Sequence, residues 1–218
     1  MELASKSLEG AGLWCELRPG AVHGGAALFL DRDGVVVEET EYLCRVQDVA
    51  MIPGAAAVIA AANRHRIPVV LVTNQAGIGH DLYGWDEFAV VQGAIVSALA
   101  SQGARLDAVY ACAFHPNGKG VYAHPDHPDR KPRPGMLLRA AADLAIDLAR
   151  SWLVGDKAID IEAARRAGLA GAMHVLTGYG RTERSGSAAL AAADFEVRFG
   201  ESIAAAIRLP ILDGGGRA

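Results

Sequence analysis

Five short, almost wholly apolar runs alternate along the chain with longer alanine-rich segments. The runs are "AALFL" (26–30), "IPVVLVT" (67–73), "LDAVYAC" (106–112), "SWLVG" (151–155) and "GAMHVLT" (171–177). No other feature constrains the fold as strongly. A strand that is apolar on both faces needs cover on both sides, and a helix between successive strands supplies it. The segments "PGAAAVIAAANRHR", "WDEFAVVQGAIVSALASQG", "PGMLLRAAADLAI" and "AIDIEAARRAG" are each long enough for a helix. Each carries a start signal (Pro53, Pro134) or a terminal Gly. The expectation is an α/β fold: a doubly wound, mostly parallel sheet with right-handed crossovers and helices on both faces.

Three stretches fall outside this alternation. Residues 34–52 have no helical period and read as a small flap. Residues 113–133, "AFHPNGKGVYAHPDHPDRKPR", are rich in Pro, Gly and His and read as a loop insertion. Residues 1–25 show no clear period and read as an N-terminal arm ahead of a single domain over 26–218. Between Asp31 and Thr73 a flap, a helix and a strand must already fit, so no large cap domain is expected.

Composition narrows the function. With 218 residues, 51% of them hydrophobic and 21% charged, the chain is long enough for one sizeable globular domain. A formal net charge of −4 gives no global case for binding nucleic acid or an anionic membrane. No run approaches the ~18 apolar residues of a membrane span. Glu2, Lys6 and Glu9 interrupt any signal-peptide core. Cys15, Cys44 and Cys112 are odd in number and contain no C-x-x-C, which suits a reducing cytoplasm.

In an open α/β sheet, ligands bind beyond the carboxyl ends of the strands. The first run ends in Asp31-Arg32-Asp33-Gly34, the second in Thr73-Asn74-Gln75, and the fourth in Gly155-Asp156-Lys157 with Asp160 close behind. The insertion exits through Arg130, Lys131 and Arg133. Carboxylates, a hydroxyl and clustered cations at one sheet edge are the parts needed to hold a divalent metal and a phosphate together. Mg²⁺ held by Asp31, Asp156 and the backbone carbonyl of Asp33 would offset the repulsion between the paired acids. Asp31 could then attack phosphorus in line. Asp33 could protonate the leaving oxygen and later deprotonate water. Thr73, backbone N–H groups near Asn74, and Lys131 would neutralise the phosphoryl oxygens.

Taken together, D-x-D-G, Thr73, Lys131 and G-D-x-x-x-D (155–160) resemble the four motifs of the haloacid dehalogenase superfamily of phosphatases. More closely, "FLDRDGVV", "VTNQAGIG", "RKPRPGML" and "VGDKAIDIEAARRAG" resemble the subgroup containing D,D-heptose 1,7-bisphosphate phosphatase and histidinol-phosphatase. The resemblance implies a Rossmannoid fold of this class, Asp31 as nucleophile, Asp33 as acid/base and Asp156 as a Mg²⁺ ligand. It makes Thr73, Asn74, Arg130 and Lys131 phosphate or substrate contacts. That subgroup often carries a structural Zn²⁺, with a C-x-H pair and a later C-x-C directly before R-K-P. Here the pairs read Cys112/Phe114 and His127/Asp129, so only Cys112 is an unchanged ligand. Cys112, His115, His124 and His127 form an alternative quartet of competent zinc ligands, although loss of the C-x-C half weighs against zinc.

The expected activity is therefore Mg²⁺-dependent phosphomonoester hydrolysis of a small phosphorylated metabolite, most like heptose 1,7-bisphosphate, with histidinol phosphate as the alternative. Arg130, Lys131 and Arg133 favour a second phosphate on the substrate. A phospho-acceptor signalling domain carries its phosphorylated Asp on the third strand, and here that strand ends at Cys112. A non-catalytic binding protein is disfavoured because Asp31 and Asp33 are both present.

Overall fold

A computed structural model of the chain describes residues 5–9 and 12–213. Its strands are β1 (Ser5–Glu9), β2 (Leu13–Leu17), β3 (Leu28–Leu30), β4 (Val69–Asn74), β5 (Ala108–Cys112), β6 (Trp152–Gly155), β7 (Gly171–Val175) and β8 (Glu196–Gly200). They form one sheet in the order β1-β2-β5-β4-β3-β6-β7-β8. From β5 to β8 all neighbours are parallel, while β2 runs antiparallel to β5 and β1 antiparallel to β2.

The period of two along each strand deals its side chains to opposite faces. Leu28, Leu30, Val69, Leu71, Val109 and Ala111 enter one core, with helices α1 (Ala55–Arg64) and, beyond the short α2 (Ala76–Gly79), α3 (Trp85–Ala100). Phe29, Val70, Val72, Ala108 and Tyr110 enter the other, with α4 (Gly135–Leu144) and α5 (Ala158–Arg166). The last helix, α6 (Gly180–Ala188), precedes β8. The five apolar runs all contain strands, and the doubly wound α/β architecture stands as expected. No helix among the described residues is long and apolar enough to cross a membrane.

Residues 34–52 hold only a 3-10 turn at Val46–Asp48, and their root, Val35–Val37, is fully buried. Residues 113–133 likewise hold only a 3-10 turn, Gly120–Tyr122. Neither segment builds a cap domain.

The stretch expected as an arm contributes β1 and β2 to the sheet instead; residues 1–4 and 10–11 lie outside the described residues. Glu16 hid β2 from a reading based on apolar pattern. It is buried and accepts a hydrogen bond from Trp14 Nε1 at 3.2 Å, so a charged residue stands inside the strand. Trp14 itself stacks on Trp85 (5.8 Å between centroids) and meets Phe88 edge-on (5.3 Å), which fastens the hairpin to α3. Two more elements escaped for a related reason. The strand β8 is half exposed and charged, and α6 is rich in Ser and Gly. Trp14→Ala is expected to cost about 3 kcal/mol in denaturant unfolding; a cost below about 0.5 kcal/mol would mean that the hairpin is not part of the cooperative unit.

Candidate active site

The strand β3 lies between β4 and β6, so the residues that follow these three strands meet at one edge of the sheet. There a cleft of about 270 Å³ is lined by Asp31, Asp33, Thr73, Arg130, Lys131 and Asp160, among others, with flap residues Glu39, Glu41 and Tyr42 at its side. Asp31, Asp156 and Asp160 each offer a carboxylate oxygen within 4.8 Å of the others, and all three residues are buried.

Lys131 holds this cluster from below. It is 2% exposed; its ammonium forms ion pairs with Asp31 Oδ1 at 2.8 Å and Asp160 Oδ1 at 2.7 Å and donates to the Val72 carbonyl at 2.9 Å. Burial alone would lower the Lys131 pKa, but the Asp160 and Asp31 carboxylates outweigh it and keep the ammonium charged. The loop is clamped in turn by Asn74. Its amide donates to the Lys131 carbonyl at 3.0 Å and accepts from the Lys131 N–H at 3.1 Å. The Asn74 side chain and the Lys131 ammonium thus both have partners within the protein, and both residues line the cleft.

Asp156 is oriented from the other side. Its Oδ2 accepts the Tyr179 N–H at 2.8 Å, whereas its Oδ1 is buried with no hydrogen-bond partner among the described residues. Gly34, at φ +81°, passes so close that a Cβ there would lie 2.5 Å from Asp156 Oδ2. The Thr177 hydroxyl donates to the Gly34 carbonyl at 2.6 Å and ties the flap root to the same turn. Burial, reinforced by the Asp160 and Asp31 carboxylates, pushes the Asp156 carboxyl up to about 8. Burial raises Asp160 as well, against the pull of Lys131. An orphaned oxygen among three crowded carboxylates fits a divalent cation, and oxygen donors suit Mg²⁺.

Asp33 belongs to a second network. The Arg32 guanidinium is 1% exposed, lies over the Phe88 ring and donates through Nε to both Asp33 oxygens at 3.1 and 3.0 Å. Gln75 donates to Asp33 Oδ2 at 3.2 Å and to Thr73 Oγ1 at 2.8 Å, and accepts from the Tyr83 hydroxyl at 2.6 Å. Sequence reasoning gave no role to Arg32, Gln75, Tyr83 or Lys157. The position of Arg32 between two aspartates was the one available signal. Nothing near Tyr83 in the chain pointed to it.

Arg130 lines the cleft and donates to the Phe114 carbonyl at 3.0 Å. Arg133 does not join it; the Arg133 side chain turns outward onto Asp126. The zinc quartet is not assembled either. Among the described residues, Asp31, Asp156 and Asp160 form the one carboxylate, thiol or imidazole group within metal-sharing distance. His115, His124 and His127 spend Nδ1 accepting backbone N–H groups two residues on, and Phe114 stacks on His127. Burial pushes the Cys112 thiol up to about 12.

Two predictions follow from this geometry. A carboxyl raised from its unfolded value of 3.8 to about 8 keeps, in the folded protein, a proton the unfolded chain has lost. Without metal, stability therefore falls as pH rises through that window. Mg²⁺ takes the place of the proton. Its stabilising shift in Tm is expected to be small near pH 5 and clearly larger near pH 8 (roughly the two ends of that window); equal shifts would mean that Asp156 does not hold the ion. Elemental analysis of protein purified without chelator is expected to find zinc well below one atom per chain, and a stoichiometric content would restore the zinc reading of the histidine-rich loop.

Comparison with known proteins places this geometry in a family. The HAD-hydrolase-like family model matches residues 129–197. A D-glycero-beta-D-manno-heptose-1,7-bisphosphate 7-phosphatase from Mesorhizobium japonicum is 48% identical over 161 residues, covering 73% of this chain and 74% of that protein. A D-glycero-D-manno-heptose-1,7-bisphosphate 7-phosphatase from Thermosynechococcus vestitus is 43% identical over 168 residues, covering 74% and 84%. The crystal structure of D,D-heptose 1,7-bisphosphate phosphatase from B. bronchiseptica, complexed with magnesium and phosphate, superposes with a TM-score of 0.72 at 31% identity. It covers 83% of this chain and 95% of that one. With relatives this similar over this much of its length, the chain belongs to the haloacid dehalogenase-like hydrolases, alongside the heptose-1,7-bisphosphate phosphatases.

Proposed function

We propose that this chain is a Mg²⁺-dependent phosphomonoesterase that works through an aspartyl-phosphate on Asp31, with a sugar bisphosphate such as D-glycero-D-manno-heptose 1,7-bisphosphate as substrate. The observation that carries the reading is the buried Asp31–Asp156–Asp160 cluster, pinned by Lys131 at the base of an open cleft. Asp31, Asp156 and the Asp33 carbonyl would hold Mg²⁺, which when bound supplies positive charge against the phosphoryl oxygens.

The remaining chemistry falls to the chain's own residues. Lys131 fixes Asp31 Oδ1, and Asp31 attacks phosphorus in line as the bond to the sugar oxygen breaks. Asp33 gives its proton to that leaving oxygen. It then takes a proton from the water that attacks the aspartyl-phosphate, which releases phosphate and restores Asp31. Gln75 holds Asp33 and the Thr73 hydroxyl in register, and Thr73 with nearby backbone N–H groups stabilises the charge that builds on phosphorus oxygens. Arg130 supports a second phosphate. Each of the other cleft cations has a carboxylate partner: Arg32 with Asp33, Lys131 with Asp31 and Asp160, and Lys157 with Glu39. Arg130 has none among the described residues. That observation favours a bisphosphate over histidinol phosphate, whose distal end is cationic. Three free cysteines fit a reducing cytoplasm.

The test is phosphate release with Mg²⁺ on heptose 1,7-bisphosphate, histidinol phosphate and simple sugar phosphates. Many turnovers per chain are expected, with the bisphosphate fastest, and Asp31→Asn should fall below about a thousandth of wild type. Retained activity in Asp31→Asn would remove the covalent mechanism.

A further inference from the structure

Three features that the reaction leaves unused meet at one place: the N-terminal hairpin, the histidine-rich loop and the Phe at position 114. The rings of Phe114 and His127 stack with centroids 3.7 Å apart and planes 10° from parallel. His124 stands edge-on to both, at 6.1 Å and 4.9 Å. The same two stacked residues hold Arg130. The Phe114 carbonyl accepts from Arg130 Nη1 at 3.0 Å, and the His127 carbonyl accepts from the Arg130 backbone N–H at 3.1 Å.

The Phe114 ring also meets the hairpin. Gly12 passes so close to it that a Cβ there would lie 2.4 Å from the ring Cε2 and Cζ, and the Gly12 carbonyl accepts the Ala113 N–H at 2.8 Å. This contact follows directly from the sheet, because the adjoining residues Leu13 and Cys112 face each other in the β2–β5 register. A loop built of Pro, Gly and His has few apolar contacts of its own with which to fix a long arginine side chain. The ring stack braces that loop instead, and half-buried Arg130 lines the cleft with no carboxylate partner among the described residues.

We propose that the Phe114–His127 stack, met by Gly12 of the N-terminal hairpin, is a positioning device that fixes Arg130 for the second anionic group of the substrate and so sets the preference for bisphosphates. This rests on the phosphatase reading above. An arginine whose head and backbone are both ordered before binding loses less rotamer freedom when the anion arrives. The stacked rings themselves touch no reacting atom.

The experiment compares heptose 1,7-bisphosphate with p-nitrophenyl phosphate, which has no second anion, in wild type, Phe114→Leu, Phe114→Tyr and Arg130→Ala. Phe114→Leu should raise KM for the bisphosphate by about tenfold with kcat within about twofold. It should leave p-nitrophenyl phosphate kinetics unchanged. Phe114→Tyr keeps a ring and should restore wild-type KM. In the Arg130→Ala background Phe114→Leu should add no further change, since the ring acts only through the placement of Arg130. If Phe114→Leu does not fold, His127→Ala removes the other ring and should show the same split. An equal loss on both substrates, an unchanged ratio, or a further loss in the Arg130→Ala background would overturn the proposal. A wild-type protein that hydrolyses neither compound would instead overturn the phosphatase reading itself.

Discussion

The site depends on one buried charge imbalance. Asp31, Asp156 and Asp160 sit within reach of a common ion, and Lys131 is the ammonium bonded to two of them. If all three are ionised, two negative charges remain. In a low-dielectric interior that surplus must be met by protons or by a divalent cation. Asp33 stands outside this cluster, held instead by Arg32 and Gln75. The protein thus keeps two aspartates, one residue apart, in different electrostatic surroundings. One faces the carboxylate cluster and the other a buried guanidinium.

Much of the surrounding structure serves to hold that imbalance in shape. The amide of Asn74 clamps the Lys131 peptide, and the Tyr179 N–H and Gly34 confine Asp156. Gly155 passes so close to Asp160 that no side chain could stand in its place. These contacts come from four separate strand ends, which only the parallel sheet brings together. Removing one partner from such a buried set leaves charge uncompensated, a cost of about 3–5 kcal/mol in comparable cases. Lys131 is the common partner of this set, in contact with Asp31, Asp160 and the Val72 carbonyl.

The outer parts of the cleft follow a different logic. The flap and the histidine-rich loop have little regular structure, and each is held by a few specific contacts. The flap uses Glu39 to reach Lys157 at 3.2 Å, with Lys157 lying over the Tyr179 ring at 4.1 Å. The loop uses aromatic stacking and the turn beside Gly12. The antiparallel hairpin at the sheet edge has thereby become a support for the loop that carries Arg130.

The pattern of apolar runs determined the parallel sheet and its two helical layers, because a strand apolar on both faces has only one kind of surroundings that satisfies it. It also placed Asp31, Thr73 and Asp156 at strand ends, since each polar residue directly follows an apolar run. The hairpin, β8 and α6 were not legible, as Glu16, Arg198 and the Ser-rich turn of α6 break the expected periods. Nor could the chain alone show how the cations divide their work. Lys131 and Arg130 are adjacent in sequence, yet one is buried among carboxylates and the other lines the cleft with none beside it among the described residues. Arg133, two residues further on, leaves for the surface. That division depends on which partners the fold brings within 3 Å, and strand order and loop closure decide it, not the spacing of residues along the chain.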